Sequence, residues 1–289
     1  MSDLLVLGGL GVDVRVRVPA LPLPLADSLP VDPVDLRIGN TGAGVTLAAH
    51  ALGLRVTVVD VVGDDPPGDV VRAALSRRDV TAVLRTDSRG TRRSVNLVDP
   101  AGRRMSLYDS RPWQGSPPFR PDELAALVAE AAHVHLSIMD WTLDLLPTLR
   151  AALPDGVGIS TDLHDWDGRN PYHRPFADLA DLVFVSGVRL CPAAAETAAA
   201  LAPRTVVVTH GADGAVLYRP GRPPVRVPAA TPPDPVVDSN GAGDAFAAGF
   251  VAGRLRGGTP EVAARYAAQV AAACTHDGME YPSGLLPRP

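Results

Sequence analysis

The chain has 289 residues, 46% of them apolar, and a net charge of −5. That is enough apolar material for a sizeable core in one large domain or two small ones, and the acidic balance argues against a protein that coats nucleic acid. Every basic residue apart from seven histidines is arginine, so no lysine can act as a phosphate ligand or form a Schiff base. The two cysteines, Cys191 and Cys274, make no metal-ligand spacing and suit a reduced cytoplasm.

Leu4 to Leu7 is a continuous apolar run, as in a buried parallel strand. It lacks the basic flank and length of a signal peptide, and no apolar run reaches the roughly eighteen residues of a membrane helix. Gly8, Gly9 and Gly11 follow, then Asp13. A dinucleotide-binding start would need a helix here, but Val12 to Val18 alternates like another strand. Residues 19–33 are proline-rich, and Asp35 to Ile38 reads as a further short strand. These pieces read as part of a small β-lid or as a surface loop.

Gly39 to Gly44, GNTGAG, precedes a helix that Gly53 ends. A strand and turn run to Gly68, where Asp64 and Asp65 read as metal ligands or as a solvated turn. Asp69 to Arg78 is an amphipathic helix. Arg92–Val98 and Arg103–Leu107 flank the turn Asp99-Pro100-Ala101-Gly102 and predict a hairpin. After a helix over Pro121–Ala132, His133 and His135 share one face of a strand, a metal-binding spacing with no third ligand. Strands are expected over Val157–Asp162, Leu179–Ser186, Thr205–Thr209 and Ala215–Tyr218. The last two are joined by His210-Gly211-Ala212-Asp213-Gly214.

The most informative stretch is Val236 to Arg256, VVDSNGAGDAFAAGFVAGRLR. Asp238, Ser239 and Asn240 are good helix caps, Gly241, Ala242 and Gly243 have almost no side-chain bulk, and an apolar run follows Asp244. A helix start attracts anions through unpaired N–H groups, and glycines let a phosphate oxygen approach the backbone. A first-turn carboxylate beside that anion is a plausible base for an attacking hydroxyl. The competing reading is a capped structural helix. Pro260 to Thr275 predicts a last, alanine-rich helix ended by Gly278.

The segment DSNGAGDAFAAGF is similar to the C-terminal signature of the ribokinase family, the pfkB-type carbohydrate kinases. The resemblance runs from about Leu4 to Gly278. It implies an α/β fold, a ribokinase-like three-layer sandwich with a mostly parallel sheet and a small β-lid near residues 13–38 and 91–108. Residues 1–289 then form one kinase domain. It implies an anion hole at Gly241, Ala242 and Gly243 and a catalytic base at Asp244. Asp13 matches the residue that binds sugar hydroxyls. The block from Gly39 resembles the family's N-terminal signature and places Gly39, Asn40 and Gly44 at the substrate. Asn40 stands where the family has Gly, and Gly44 where it has a sugar-binding Asn. With Gly11, that departure predicts a roomier pocket than a ribose kinase needs. A substrate-facing arginine is expected from the hairpin, Arg93 or Arg104. Thr209, Gly211, Asp213 and Gly214 resemble the nucleotide loop, while Ser186 and Arg189 replace an Asn and a Glu that organise the metal and phosphates. The last helix would lie against adenine.

The implied partners are ATP, Mg2+, a monovalent cation such as K+ near Asp238, and a small-molecule sugar or nucleoside acceptor. No nucleic acid and no membrane is expected to take part. The lid is expected to pair in a homodimer or at least to close over the acceptor. A nucleoside kinase of the same fold and a non-catalytic sugar or nucleotide sensor are the alternatives. A nicotinamide-dependent dehydrogenase is disfavoured by the residues after Gly11.

Overall fold

The computed structural model describes residues 1–190, 193–201 and 204–275. The chain opens with β1 (Leu4–Leu7), then β2 (Gly11–Arg17) and β3 (Asp35–Gly39). Helix α1 (Thr41–Ala51), β4 (Val56–Val62), α2 (Pro66–Ser76) and β5 (Thr81–Thr86) follow. The hairpin is β6 (Arg93–Val98) and β7 (Arg104–Tyr108). Helix–strand alternation then resumes with α3 (Pro121–Ala129), β8 (His133–Ser137), α4 (Leu146–Ala152), β9 (Gly158–Asp162), α5 (Arg174–Leu179) and β10 (Leu182–Ser186). The last elements are α6 (Ala194–Ala200), β11 (Thr205–Thr209), β12 (Ala215–Arg219), β13 (Arg222–Val227), α7 (Ala242–Leu255) and α8 (Pro260–Ala273).

Nine strands form one sheet in the order β13-β12-β11-β10-β9-β8-β1-β4-β5. All pairs from β5 to β11 are parallel, and β12 and β13 close one edge as an antiparallel hairpin. β1 and β4 are buried at every position, as strands covered on both faces must be. Alternation then divides them between two cores. Leu4, Val6 and Val58 pack with α1, α2, α7 and α8, whereas Leu5, Leu7 and Val59 pack with α3, α4, α5 and α6. The expected three-layer sandwich is therefore present.

A second sheet, β3-β2-β6-β7, forms the lid. It enters the chain directly after β1 and again after β5, so it hangs over the carboxyl ends of the parallel strands. Buried Asp60 in β4 pins its root by accepting the Leu10 N–H at 2.6 Å and the Trp141 indole N–H at 3.0 Å. The parallel strands change direction of travel between β1 and β8, which is where open α/β sheets bind ligands.

Two boundaries differ from the sequence expectation. α2 begins at Pro66 because Asp65 caps it, accepting the Gly68 N–H at 3.0 Å. Asp65 also takes the Thr91 N–H and hydroxyl, contacts that hold its pKa down at about 2, so it serves the turn. α1 begins at Thr41, which puts Gly42, Ala43 and Gly44 inside its first turn. Glycine costs a helix stability, but here it permits close approach. A Cβ on Gly42 would stand 2.9 Å from Gly9 Cα and closer still to the Gly8 carbonyl. Gly278 lies outside the described residues. Gly42→Ala should therefore force α1 off β1 and lower the unfolding free energy by at least about 3 kcal/mol, as measured by urea denaturation.

Candidate active site

The site is built on the first turn of α7. Gly241 occupies the cap position in the left-handed region, φ +79°, which a glycine adopts without strain. Ala242 donates to the Ser239 carbonyl at 3.2 Å, and Ala245 closes the first helical bond to Gly241 at 2.8 Å. The N–H groups of Gly243 and Asp244 have no acceptor within the helix and point outward with the positive end of its dipole. A Cβ on Gly243 would meet nothing within 4 Å, so the ground before these donors is open.

Asp244 lies in this first turn and is only 8% exposed. It fits because α1 presents Gly44 to it: a Cβ there would come within 2.6 Å of the Asp244 Cβ and Cγ. Two helix starts therefore meet at one carboxylate. Burial pushes the Asp244 pKa well above the ordinary 3.8. The Asp162 carboxylate at the end of β9 pushes the same way, Arg104 opposes it, and Asp13 adds to the rise.

Asp13 projects from β2 and is 5% exposed. It accepts from Asn240 Nδ2 at 3.3 Å, from the Ser94 side chain and from the Asn40 backbone N–H. Burial outweighs these bonds and raises its pKa as well. Gly39 admits the carboxyl group, since a Cβ on Gly39 would lie 2.5 Å from Oδ2. Asn40, at φ +74°, caps α1 through its side chain. Arg104 reaches the cluster from β7, the edge strand of the lid, donating to Asn240 Oδ1 at 2.6 Å. Together these groups form a cluster of directed donors and acceptors beside the Asp244 carboxylate.

The residues expected to meet the nucleotide lie along neighbouring strand ends. Ser186 and Thr209 are register partners at the ends of β10 and β11. Residues Gly211–Asp213 make a 3-10 turn, with Gly211 at φ +57° facing open space. Gly214, at φ +87°, packs against the Val227 carbonyl and the Ala229 backbone and so shapes the turn from behind.

Residues 176–280 match the model of the pfkB family of carbohydrate kinases. Acarbose 7(IV)-phosphotransferase from Actinoplanes sp. (strain ATCC 31044 / CBS 674.73 / SE50/110) is 44% identical over 279 residues, 95% of this chain and 92% of that one. This chain belongs to the pfkB carbohydrate kinases. A solved microbiome-derived acarbose kinase superposes with a TM-score of 0.86 at 43% identity, covering 96% of this chain and 94% of that one. Arabidopsis thaliana ribokinase, solved with ribose and ATP, shares the fold at TM-score 0.79 and 20% identity, covering 100% and 99% of the two chains.

In this kinase the hairpin arginine that reaches the site is Arg104. Arg93 lies on the opposite face of the lid, beside Asp65 at 3.3 Å and largely exposed, so it is not gathered with Asp13. The space at Gly44 is taken by Asp244 itself, and that at Gly11 by the Arg92 carbonyl, so neither widens a pocket as expected. His133 and His135 do not form a metal pair. They share the Ser160 hydroxyl at 2.9 and 3.0 Å, and burial lowers both pKa values to about 4. Among the described residues no three His, Cys, Asp or Glu side chains could hold a metal.

Asp238 does not cap α7. Its Oδ1 accepts the Asn240 N–H at 2.7 Å, and its Oδ2 is ion-paired with the Arg15 guanidinium. With the positive guanidinium of Arg15 already against that buried oxygen, Asp238 does not fit a bound monovalent cation. Sequence reasoning missed Arg15, Ser94 and Asn240 as site residues. The alternation of β2 puts Arg15 on the face of Asp13, a signal that was readable in the sequence.

Gly44→Ala should displace Asp244 and reduce kcat by roughly a hundredfold or more while nucleotide affinity, read by calorimetry, stays near wild type. Asp244→Asn should cost about 10²–10⁴ in kcat. Because the folded-state pKa of Asp244 is raised, its ionised form destabilises the fold above the unfolded pKa, so Asp244→Asn should melt no lower than wild type at pH 7. By the same sign, wild-type kcat/KM should fall as pH drops through a midpoint above 3.8. Asp162→Asn should move that midpoint down.

Proposed function

We propose that this kinase transfers the γ-phosphoryl group of ATP to a hydroxymethyl group of acarbose or an acarbose-like sugar, as one unit spanning residues 1–289. The observation that carries the reaction is the Asp244 carboxylate held against Gly44 at the open start of α7. The acceptor class is supported by the likeness to two acarbose kinases. Asp13 accepts hydrogen bonds from acceptor hydroxyls, and Ser94, Asn240 and Arg104 keep its carboxylate aimed. Asp244 takes the proton of the attacking hydroxyl as its oxygen bonds to phosphorus and the bond to ADP breaks. The N–H groups of Gly243 and Asp244 hold the negative charge that grows on the transferred group. Mg2+, when bound with ATP, neutralises phosphate charge that no lysine is present to meet. Thr209 and Gly211 line the phosphate path, with Ser186 and Asp213 beside them. The lid keeps out water that would otherwise hydrolyse ATP.

We further propose that the kinase works in the cytoplasm as a homodimer paired through its lids. No described helix is long and apolar enough to cross a membrane. The lid face opposite Asp13 carries Leu36, Met105 and Leu107, each about half exposed at 48%, 50% and 50%. An apolar sheet face of this kind is a liability unless covered. Light scattering should give a dimer mass for the wild type and a monomer mass for Leu107→Glu; a wild-type monomer at every concentration rejects the pairing.

A panel of acarbose, ribose and nucleosides should place acarbose first by at least about tenfold in kcat/KM; a ribose or nucleoside optimum overturns the acceptor class. Asp13→Ala should cost on the order of 2–4 kcal/mol in kcat/KM for that acceptor.

A further inference from the structure

The Arg15–Asp238 ion pair lies where the resemblance led us to expect a monovalent cation, and the two side chains are 11% and 2% exposed. Asp238 begins the loop that ends in the anion hole. Its Oδ1 folds that loop by accepting the Asn240 N–H, and Asn240 in turn contacts Asp13. Arg15 and Asp13 are two residues apart on one face of β2, as Asp238 and Asn240 are two apart on the loop. The loop is therefore fastened to the lid at two successive positions. The pair is charge-neutral. A monovalent cation added to it would leave a buried excess positive charge, which is strongly unfavourable. A guanidinium is always charged and presents several donors in fixed geometry, so it can order the loop permanently.

Building on the proposed role of the α7 start, we infer that Arg15 is the built-in cation of the Asp238–Gly241 loop, so that this kinase needs no K+ or other monovalent cation. Arg15 is a positioning residue. It acts through Asp238 on the backbone that leads to Gly243 and Asp244. Its removal leaves the Asp238 carboxylate buried and uncompensated, and so creates a place for a small cation.

The test compares potassium chloride with tetramethylammonium chloride at equal ionic strength, for the wild type, Arg15→Gln and Arg15→Lys. Two quantities are read: turnover of ATP with acarbose, and the melting temperature of the nucleotide-free protein. Both should be the same in the two salts for the wild type, within about twofold in turnover, and for Arg15→Lys, which keeps the charge. Arg15→Gln should melt lower and turn over about tenfold more slowly in tetramethylammonium, and potassium should restore both. A wild type that potassium accelerates tenfold or stabilises overturns the inference, as does an Arg15→Gln protein that potassium rescues in neither quantity. Should Arg15→Gln not fold, the wild-type comparison decides alone. Loss of turnover with every acceptor in both salts overturns the proposed reaction, while the melting comparison still judges the role of Arg15.

Discussion

The packing of Asp244 against Gly44 is the contact on which the site depends. It brings the first turns of α1 and α7 to one point, so the Asp244 carboxylate and the helix-start donors are positioned by the same pair of helices. Only a residue without a side chain at 44 allows the approach. The same burial that fixes Asp244 also raises its pKa, a change in the direction a general base needs.

The carboxylates of Asp162 and Asp13 both act on Asp244 in this small volume, and the guanidinium of Arg104 opposes the rise at Asp244 and at Asp13. Such an arrangement is costly in a protein without substrate. The lid contributes through Asp13, Ser94 and Arg104 on one face, while its other face bears the apolar residues. One four-stranded sheet thereby separates its polar cluster from its apolar residues by alternation alone.

The signature around Asp244, the alternation of strands and helices and the lid hairpin were all legible in the residues, because each rests on local pattern. What escaped was short or at an edge. β13 contains Pro223 and Pro224, which a central strand excludes but an edge strand tolerates. β5 is half-exposed and lacks an apolar run, and α4, α5 and α6 are too short for a helical period to show. The same limit explains α1. Its glycines read as a loop because their purpose, close approach to β1 and to Asp244, is set by residues far away in the chain.

The sequence by itself determined the family and the parallel core and singled out the glycine-rich start of α7, since apolar runs and a helix start carry their physics within a few residues. Only the tertiary structure decided which of two hairpin arginines joins the Asp13 cluster, because strand register puts Arg104 beside Asn240 and turns Arg93 to the other face. It alone decided that Gly44 makes room for Asp244 and that Asp238 is paired with Arg15. These are contacts between segments distant in sequence, and their geometry exists only once the sheet, the helices and the lid have packed.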